Sequence, residues 1–402
     1  MPKVRSGLDV LAGEDFERLA GRRIGLMALP SSKTFDGRSI LDALLACGQV
    51  TVAALFALQP DSYGVEHDLN TDTFEPRTGA PLYSLSAARP RPTAEMLRAL
   101  DVVVIDVPDS GVRFNPHLSR VAAMLQECAR RNVPVLVLDR PNPLGGLVCD
   151  GAYPAPGLLA GEWAPYPMPI VHGLTMGELA RLLNDVFGLQ GRVEVAECTG
   201  WKRYWTFDRT ELPWCAPSPE LGSFEVCALF AGVSLAAPAN VSVGLGTDRP
   251  FTMIGAPYMN SEVLTAEFAK RPLPGVEVEA VSFTPAAAAG SRPGVPAVFA
   301  LPGAPVFVPD APWAFAGQTC RGVAFRISDV EAYQPVKFGV QVLHTLAKLY
   351  PDELKLERTV YTLGRPEVPL MIRNGLALDK IFASWSADRL DFNSVRLECL
   401  LY

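Results

Sequence analysis

Positive charge is in short supply in this chain. Its 36 Lys and Arg stand against 43 Asp and Glu, leaving a net charge of −7 and a pI near 5.3. That balance argues against a surface made to hold nucleic acid or anionic lipid. No apolar run reaches the roughly 18 residues of a membrane span. The N-terminal MPKVRSGLDVLAGEDF has no apolar core of the kind a signal peptide carries, so a cytoplasmic location is expected for the sequence as written. A processed N-terminus would leave a periplasmic or secreted form open. The eight cysteines include no CxxC or other close pair, which speaks against zinc and for dispersed buried thiols in a reducing compartment. Neither a metal nor a cofactor is expected. The first strand candidate is followed by Pro30-Ser31-Ser32-Lys33 and not by a glycine-rich loop, which disfavours a dinucleotide or Walker-type phosphate site. No internal repeat is evident.

Apolar material is plentiful. Hydrophobic residues make up 49% of the chain and the mean hydropathy is +0.17, the signature of a well-buried globular protein. At 402 residues it exceeds one ordinary core, so two domains are expected. The 36 prolines concentrate in loops such as 153–169 and 287–312. Strand candidates at 23–29, 50–58, 102–107 and 133–138 alternate with helical stretches near 38–47, 93–100 and 118–131. The last of these places Val121, Met124, Leu125 and Cys128 on one face. This rhythm predicts an α/β fold with a Rossmann-like, doubly wound, mostly parallel sheet.

Further along, Thr175 and Glu178 read as a capping box opening a helix over 175–187, and 192–197 reads as another strand. The small residues of 236–250 suggest close backbone approach around a cleft. The pattern restarts after about residue 256 with a helix (261–270), a strand (276–283), a Pro/Ala/Gly-rich stretch (285–312), a strand (322–327), an amphipathic helix (334–349) and a short tail. Residues 1–255 are thus expected to form the Rossmann-like domain carrying the site, and 256–402 a second, smaller α/β domain.

The stretch Val133–Pro143 carries most chemical information. Its unbroken apolar run reads as a strand covered on both faces, and it ends in Asp139, Arg140 and Asn142 stiffened by Pro141 and Pro143. Polar groups at the carboxyl end of such a strand lie where open α/β sheets bind ligands. A structural turn with an Asp–Arg pair is the alternative. Asp106 and Asp109 flank the preceding strand end in the same way, with Arg113 close by, as a site or as a structural ion pair. His172 precedes a helix start, where it could contact a sugar or close the turn. His344 is expected to be structural.

Spaced motifs along nearly the whole chain resemble one family. They include Gly37-Arg38-Ser39, Pro81-Leu82-Tyr83-Ser84-Leu85, Asp109 with Gly111-Val112-Arg113-Phe114, Asp139–Pro143, His172-Gly173-Leu174-Thr175, Gly200-Trp201-Lys202-Arg203, Pro217-Ser218-Pro219, Asn240-Val241-Ser242, Arg249-Pro250-Phe251 and Leu400-Leu401-Tyr402. In order and spacing they resemble the exo-β-N-acetylmuramidases of bacterial cell-wall recycling. The resemblance implies release of N-acetylmuramic acid from the non-reducing ends of peptidoglycan fragments, by a Rossmann-like domain and a smaller auxiliary domain with the cleft between them. A muropeptide or amino sugar is the implied ligand.

Several family positions differ. The family's second strand ends in Pro-Glu-His-Gly, which supplies a catalytic Glu; here it ends Leu58-Gln59-Pro60-Asp61. An amide has no ionisable proton and cannot serve as general acid. The family's Thr-Asn-Gln is replaced by Ala28-Leu29-Pro30, the Gln before Asp109 by Pro108, and an aromatic pair by Asn115 and His117. Two glutamates align with Ala237 and Val243 and an Arg with Leu245. The catalytic candidates are therefore Asp109, Asp139 and, as a displaced acid, Glu66, which lies with His67 in a loop that could equally be plain solvated surface. The binding candidates are Gln59, Arg113, Arg140, Asn142, His172, Asn240 and Arg249, the arginines for a lactyl carboxylate. A catalytically inactive member binding a cell-wall sugar or a protein through the same cleft is the alternative reading, and a nucleotide-binding regulator a weaker third.

Overall fold

Unbroken apolar runs become the centre of a parallel sheet. The computed structural model describes residues 3–60, 62–86, 88–159, 166–286 and 314–402. Seven strands, β1 (Arg23–Ala28), β2 (Thr51–Ala57), β3 (Thr73–Phe74), β4 (Pro81–Ser84), β5 (Val102–Asp106), β6 (Val135–Leu138) and β7 (Val193–Ala196), lie in the order β3-β4-β2-β1-β5-β6-β7. Every pair is parallel except β3 with β4. All residues of β5 and β6 are buried, as covering on both faces requires.

The cover comes from five helices: α1 (Gly7–Gly13), α2 (Ile40–Cys47), α3 (Ala94–Leu97), α4 (Pro116–Arg130) and α5 (Met176–Arg181). Leu8, Leu11, Ile40, Leu41 and Leu44 of α1 and α2 join one hydrophobic cluster; Leu118, Val121, Leu125 and Leu179 of α4 and α5 join another. The sheet is doubly wound as expected. Its strand order reverses between β1 and β5, where register pairs Ala28 with Asp106 and so levels the two strand ends. A crevice at the carboxyl edge is the consequence. The capping box at Thr175 and Glu178 is present, and α5 continues as a π turn over Leu182–Val186.

The second, smaller α/β unit contains α6 (Phe224–Val233), β8 (Met253–Ala256), α7 (Ser261–Lys270), β9 (Val276–Phe283), β10 (Cys320–Ile327) and α8 (Pro335–Leu349). Its sheet is antiparallel, in the order β8-β10-β9. A boundary at 255/256 would pass through β8. Most of the Pro/Ala/Gly-rich stretch 285–312 lies outside the described residues. The short tail expected after residue 349 is corrected: it holds α9 (Val360–Leu363), α10 (Glu367–Arg373), α11 (Leu378–Ala383) and α12 (Ser386–Arg396). Leu363, Val368, Ile372, Leu378, Ile381 and Trp385 bury themselves in the same cluster as α6 and α8. That cluster also takes in Val112, Phe114, Leu144, Ile170 and Val171 from loops of the first unit.

After α12 the chain returns to the first sheet. The Tyr402 hydroxyl donates to Asp139 Oδ2 at 2.8 Å and accepts from the Cys198 N–H at 2.8 Å, and Arg203 Nε donates to the Tyr402 carbonyl. Among the described residues, no helix is long and apolar enough to cross a membrane.

Candidate functional site

The chain turns sharply after β5, and that turn sets the site. Gly111 sits at φ +80°, and a Cβ there would fall 2.8 Å from Asn142 Oδ1, so glycine lets the turn lie against the end of β6. Asp109 is buried within it. Asn115 Nδ2 donates to Oδ1 at 2.8 Å, the Gly111 N–H donates to Oδ2 at 3.0 Å, and His172 Nε2 lies 3.2 Å from Oδ2. Burial opposes ionisation, yet the His172 contact, with Asn115 and Gly111, outweighs it and holds the Asp109 carboxyl below the usual range. The Leu174 N–H donates to His172 Nδ1 at 3.2 Å, which places the ring proton on Nε2, facing the carboxylate. Asn142 completes the arrangement by donating to the Leu174 carbonyl and accepting from the Leu144 N–H.

Gln59 lies buried after the end of β2 and connects to Asp109 through His117 and Asn115. Its Nε2 donates to the Pro217 carbonyl at 2.9 Å, and His117 Nε2 reaches the same carbonyl at 2.9 Å. Burial pushes the His117 imidazole down to about 3, so the ring is neutral. With Nε2 donating, the buried Nδ1 is a bare acceptor without a partner among the described residues. Ser31 Oγ donates to the Ala216 carbonyl, and Arg140 Nη1 reaches Cys215 Sγ. Residues 215–217 are therefore strapped across the strand ends by four side chains. Ser110 Oγ is also buried without a partner among the described residues.

The remaining candidates go elsewhere, each for a physical reason. Asp139 accepts from the Arg140 and Gly177 N–H groups on Oδ1, and from Thr175 Oγ1 and Tyr402 OH on Oδ2. Both hydroxyls donate here while each accepts a backbone N–H, and Asp139 acts as an anchor for α5 and the C-terminal segment. Burial still pushes its carboxyl up to about 6. Arg140 forms a two-point pair with Asp106 at 2.6 and 2.8 Å. Arg113 is fully buried, and its Nη groups donate to the carbonyls of Ala152, Met168 and Thr362. It ties the two units together and is not available to a lactyl carboxylate. Arg249 sits exposed on the smaller unit, paired with Glu279 at 3.2 Å, which corrects its assignment to the cleft. Asn240 is a left-handed cap at φ 62° whose carbonyl accepts from Tyr258 OH. Glu66 is exposed on the loop after β2, and the neighbouring Asp61 lies outside the described residues. His344 Nε2 donates to the Leu376 carbonyl at 3.1 Å, a structural place.

Of the candidates, the structure thus brings together Gln59, Asp109, Asn142 and His172. Sequence reasoning passed over the pairing of His117 with Gln59. A signal was there, since both residues stand where the family pattern is broken, and paired departures mark a contact. Among the described residues no group of three or more His, Cys, Asp or Glu side chains could hold a metal.

Comparison with known proteins accounts for the whole chain. The family model for the N-terminal part of exo-β-N-acetylmuramidase NamZ matches residues 24–225, and that for the C-terminal part matches 228–402. The peptidoglycan β-N-acetylmuramidase NamZ of Bacillus subtilis (strain 168) is 31% identical over 417 residues, covering 100% of this chain and 92% of that protein. Two crystal structures of DUF1343 family proteins from Bacteroides fragilis NCTC 9343, each 26% identical, superpose with TM-scores of 0.83 and 0.76. The first covers 100% of this chain and 99% of its own, the second 99% of each. Scaffold, motif order and both halves agree, and the chain belongs to the exo-β-N-acetylmuramidase NamZ family.

Proposed function

We propose that this protein is a glycoside hydrolase that releases N-acetylmuramic acid, or a close relative of it, from the non-reducing ends of peptidoglycan fragments. Membership of the family over the full length supports the substrate class. One observation carries the chemistry: Asp109 is an ionised carboxylate at the sheet's switch point, oriented by the Gly111 N–H and the Asn115 amide with His172 Nε2 3.2 Å away. Glycoside cleavage needs a carboxylate as base or nucleophile on one side of the bond and an acid on the other. Asp109 fills the first role in this reading, with His172 and Asn115 fixing its direction. Asn142 positions the His172 turn.

Gln59 stands at the acid's place and gives the reaction its character. Its amide can donate a hydrogen bond to a glycosidic oxygen but no proton. Sugars with a good leaving group depart without protonation and are turned over; ordinary disaccharides are slow. Substrate entry also requires residues 215–217 to lift from Gln59 and His117.

The test is release of para-nitrophenol from para-nitrophenyl β-N-acetylmuraminide between about pH 4 and 9, beside hydrolysis of a disaccharide with N-acetylmuramic acid at its non-reducing end. Turnover of the aryl glycoside, lowered about 10²–10⁴-fold by Asp109→Asn, is expected. Silence on both substrates would overturn the reading.

A further inference from the structure

A cavity of about 560 Å³ opens away from the Asp109–His172 pair, where the loop after β6, residues 203–209, the start of α8 and α12 meet. It contains none of Gln59, Asp109 or His172, although Leu144 and Val171 in its wall directly adjoin that cluster's own segments. Its chemistry is polarised. Asp150 lies deep and is 7% exposed. Trp385 Nε1 and the Gly151 N–H both donate to its Oδ1 at 2.9 Å, while Oδ2 makes no hydrogen bond among the described residues. Asp150 lines the cavity, and its open carboxylate oxygen suits a cationic donor.

The rim has the opposite sign. Arg203 is committed to Glu178 and to backbone carbonyls, and Arg209 to Glu331. Lys337 and Arg389 have no ion pair among the described residues, although the chain as a whole is acidic. Lys337 also lies in the first turn of α8, a helix of 15 residues whose cap, Gln334, makes no side-chain bond. The free N–H groups of that turn add to an anion-favouring rim. Leu144, Val171 and Val336 supply apolar wall between the two ends.

We propose that this cavity binds a short peptide carrying an amine and free carboxylates, the amine at Asp150 and the carboxylates at Lys337, Arg389 and the start of α8. The peptide's source, as the stem of a muropeptide, rests on the reading of the function above; a free peptide has the same chemistry. The site would let the enzyme hold the peptide-bearing part of its substrate on a surface separate from the sugar chemistry.

Calorimetric titration of the full chain with L-Ala-γ-D-Glu-L-Lys, with N-acetylmuramoyl-L-Ala-γ-D-Glu-L-Lys and with N-acetylmuramic acid tests this. Arg389→Glu, at an exposed position, and Asp150→Asn, which retains the Oδ1 acceptor, are the variants. Peptide binding that each variant weakens by about tenfold or more is expected, with hydrolysis of the aryl muraminide unchanged. If only the free peptide binds, the site stands and its source is peptide alone; if only the muramoyl peptide binds in a variant-sensitive way, the source is the muropeptide. Peptides that bind no better than N-acetylmuramic acid, or that bind the variants as tightly as the parent, overturn the proposal. Loss of aryl-muraminide turnover with peptide binding intact would count against the glycosidase reading alone.

Discussion

Gln59 touches a carbonyl where a hydrolase of this kind needs a proton, and the same contact says what a restored acid would do. A carboxyl at position 59 would be buried against the Pro217 carbonyl, an environment that keeps it protonated at neutral pH. Gln59→Glu should therefore raise disaccharide hydrolysis by about 10²–10⁴-fold while changing aryl-muraminide turnover far less. Parallel kinetics on the two substrates measure the difference. His117 makes a second prediction. Its folded-state value of about 3 lies below the ordinary 6.5, so the unfolded chain binds the extra proton and stability falls as the pH drops below about 6.5. Asp139 acts with the opposite sign between about 4 and 6, because its raised value favours the folded state on protonation. His117→Gln should flatten the loss of melting temperature below pH 6.5, read by thermal unfolding across the range. The strand-end placement of Asp109 and Gln59 was legible in the sequence, the first from the apolar run before it and the second from the break in the family pattern. The His117–Pro217 contact was not, since it joins positions 100 residues apart across a loop with no periodic signal.

At the scale of elements, α5 is the piece on which the strand ends depend. Thr175 caps it through the Glu178 N–H and at the same time donates to Asp139. Thr175→Ala removes a cap worth about 1 kcal/mol and leaves a buried carboxylate oxygen short of a donor, another 1–3 kcal/mol or so. Denaturant unfolding should show a loss near the sum, about 2–4 kcal/mol, and Thr175→Ser should recover most of it. This helix was readable because Thr and Glu three apart state their function locally. The central strands were readable from their apolar runs. Helix α6 was not, because Phe224–Val233 is apolar on nearly every side and so shows no 3.6-residue period. Helices α9 to α11 have four to seven residues each, too few for a period to establish itself.

Over the whole molecule, the two units share more than a linker. Arg113 spends its guanidinium on carbonyls of both, including Thr362 at 2.9 Å, and desolvation lowers its value to about 9. Truncation leaves three buried carbonyls unpaired, so Arg113→Met should cost about 3–5 kcal/mol and lower the melting temperature of both units together. Two separated transitions in calorimetry would contradict that coupling. The core shared by α6, β8 and α8 draws on residues from both sides of residue 256. The restart of the strand and helix pattern after about residue 256 was the ground for expecting a boundary there. The contact between Tyr402 and Asp139 spans 263 residues of chain. During synthesis, therefore, the strand end beside the candidate site waits without one of its donors until the far segment has left the ribosome.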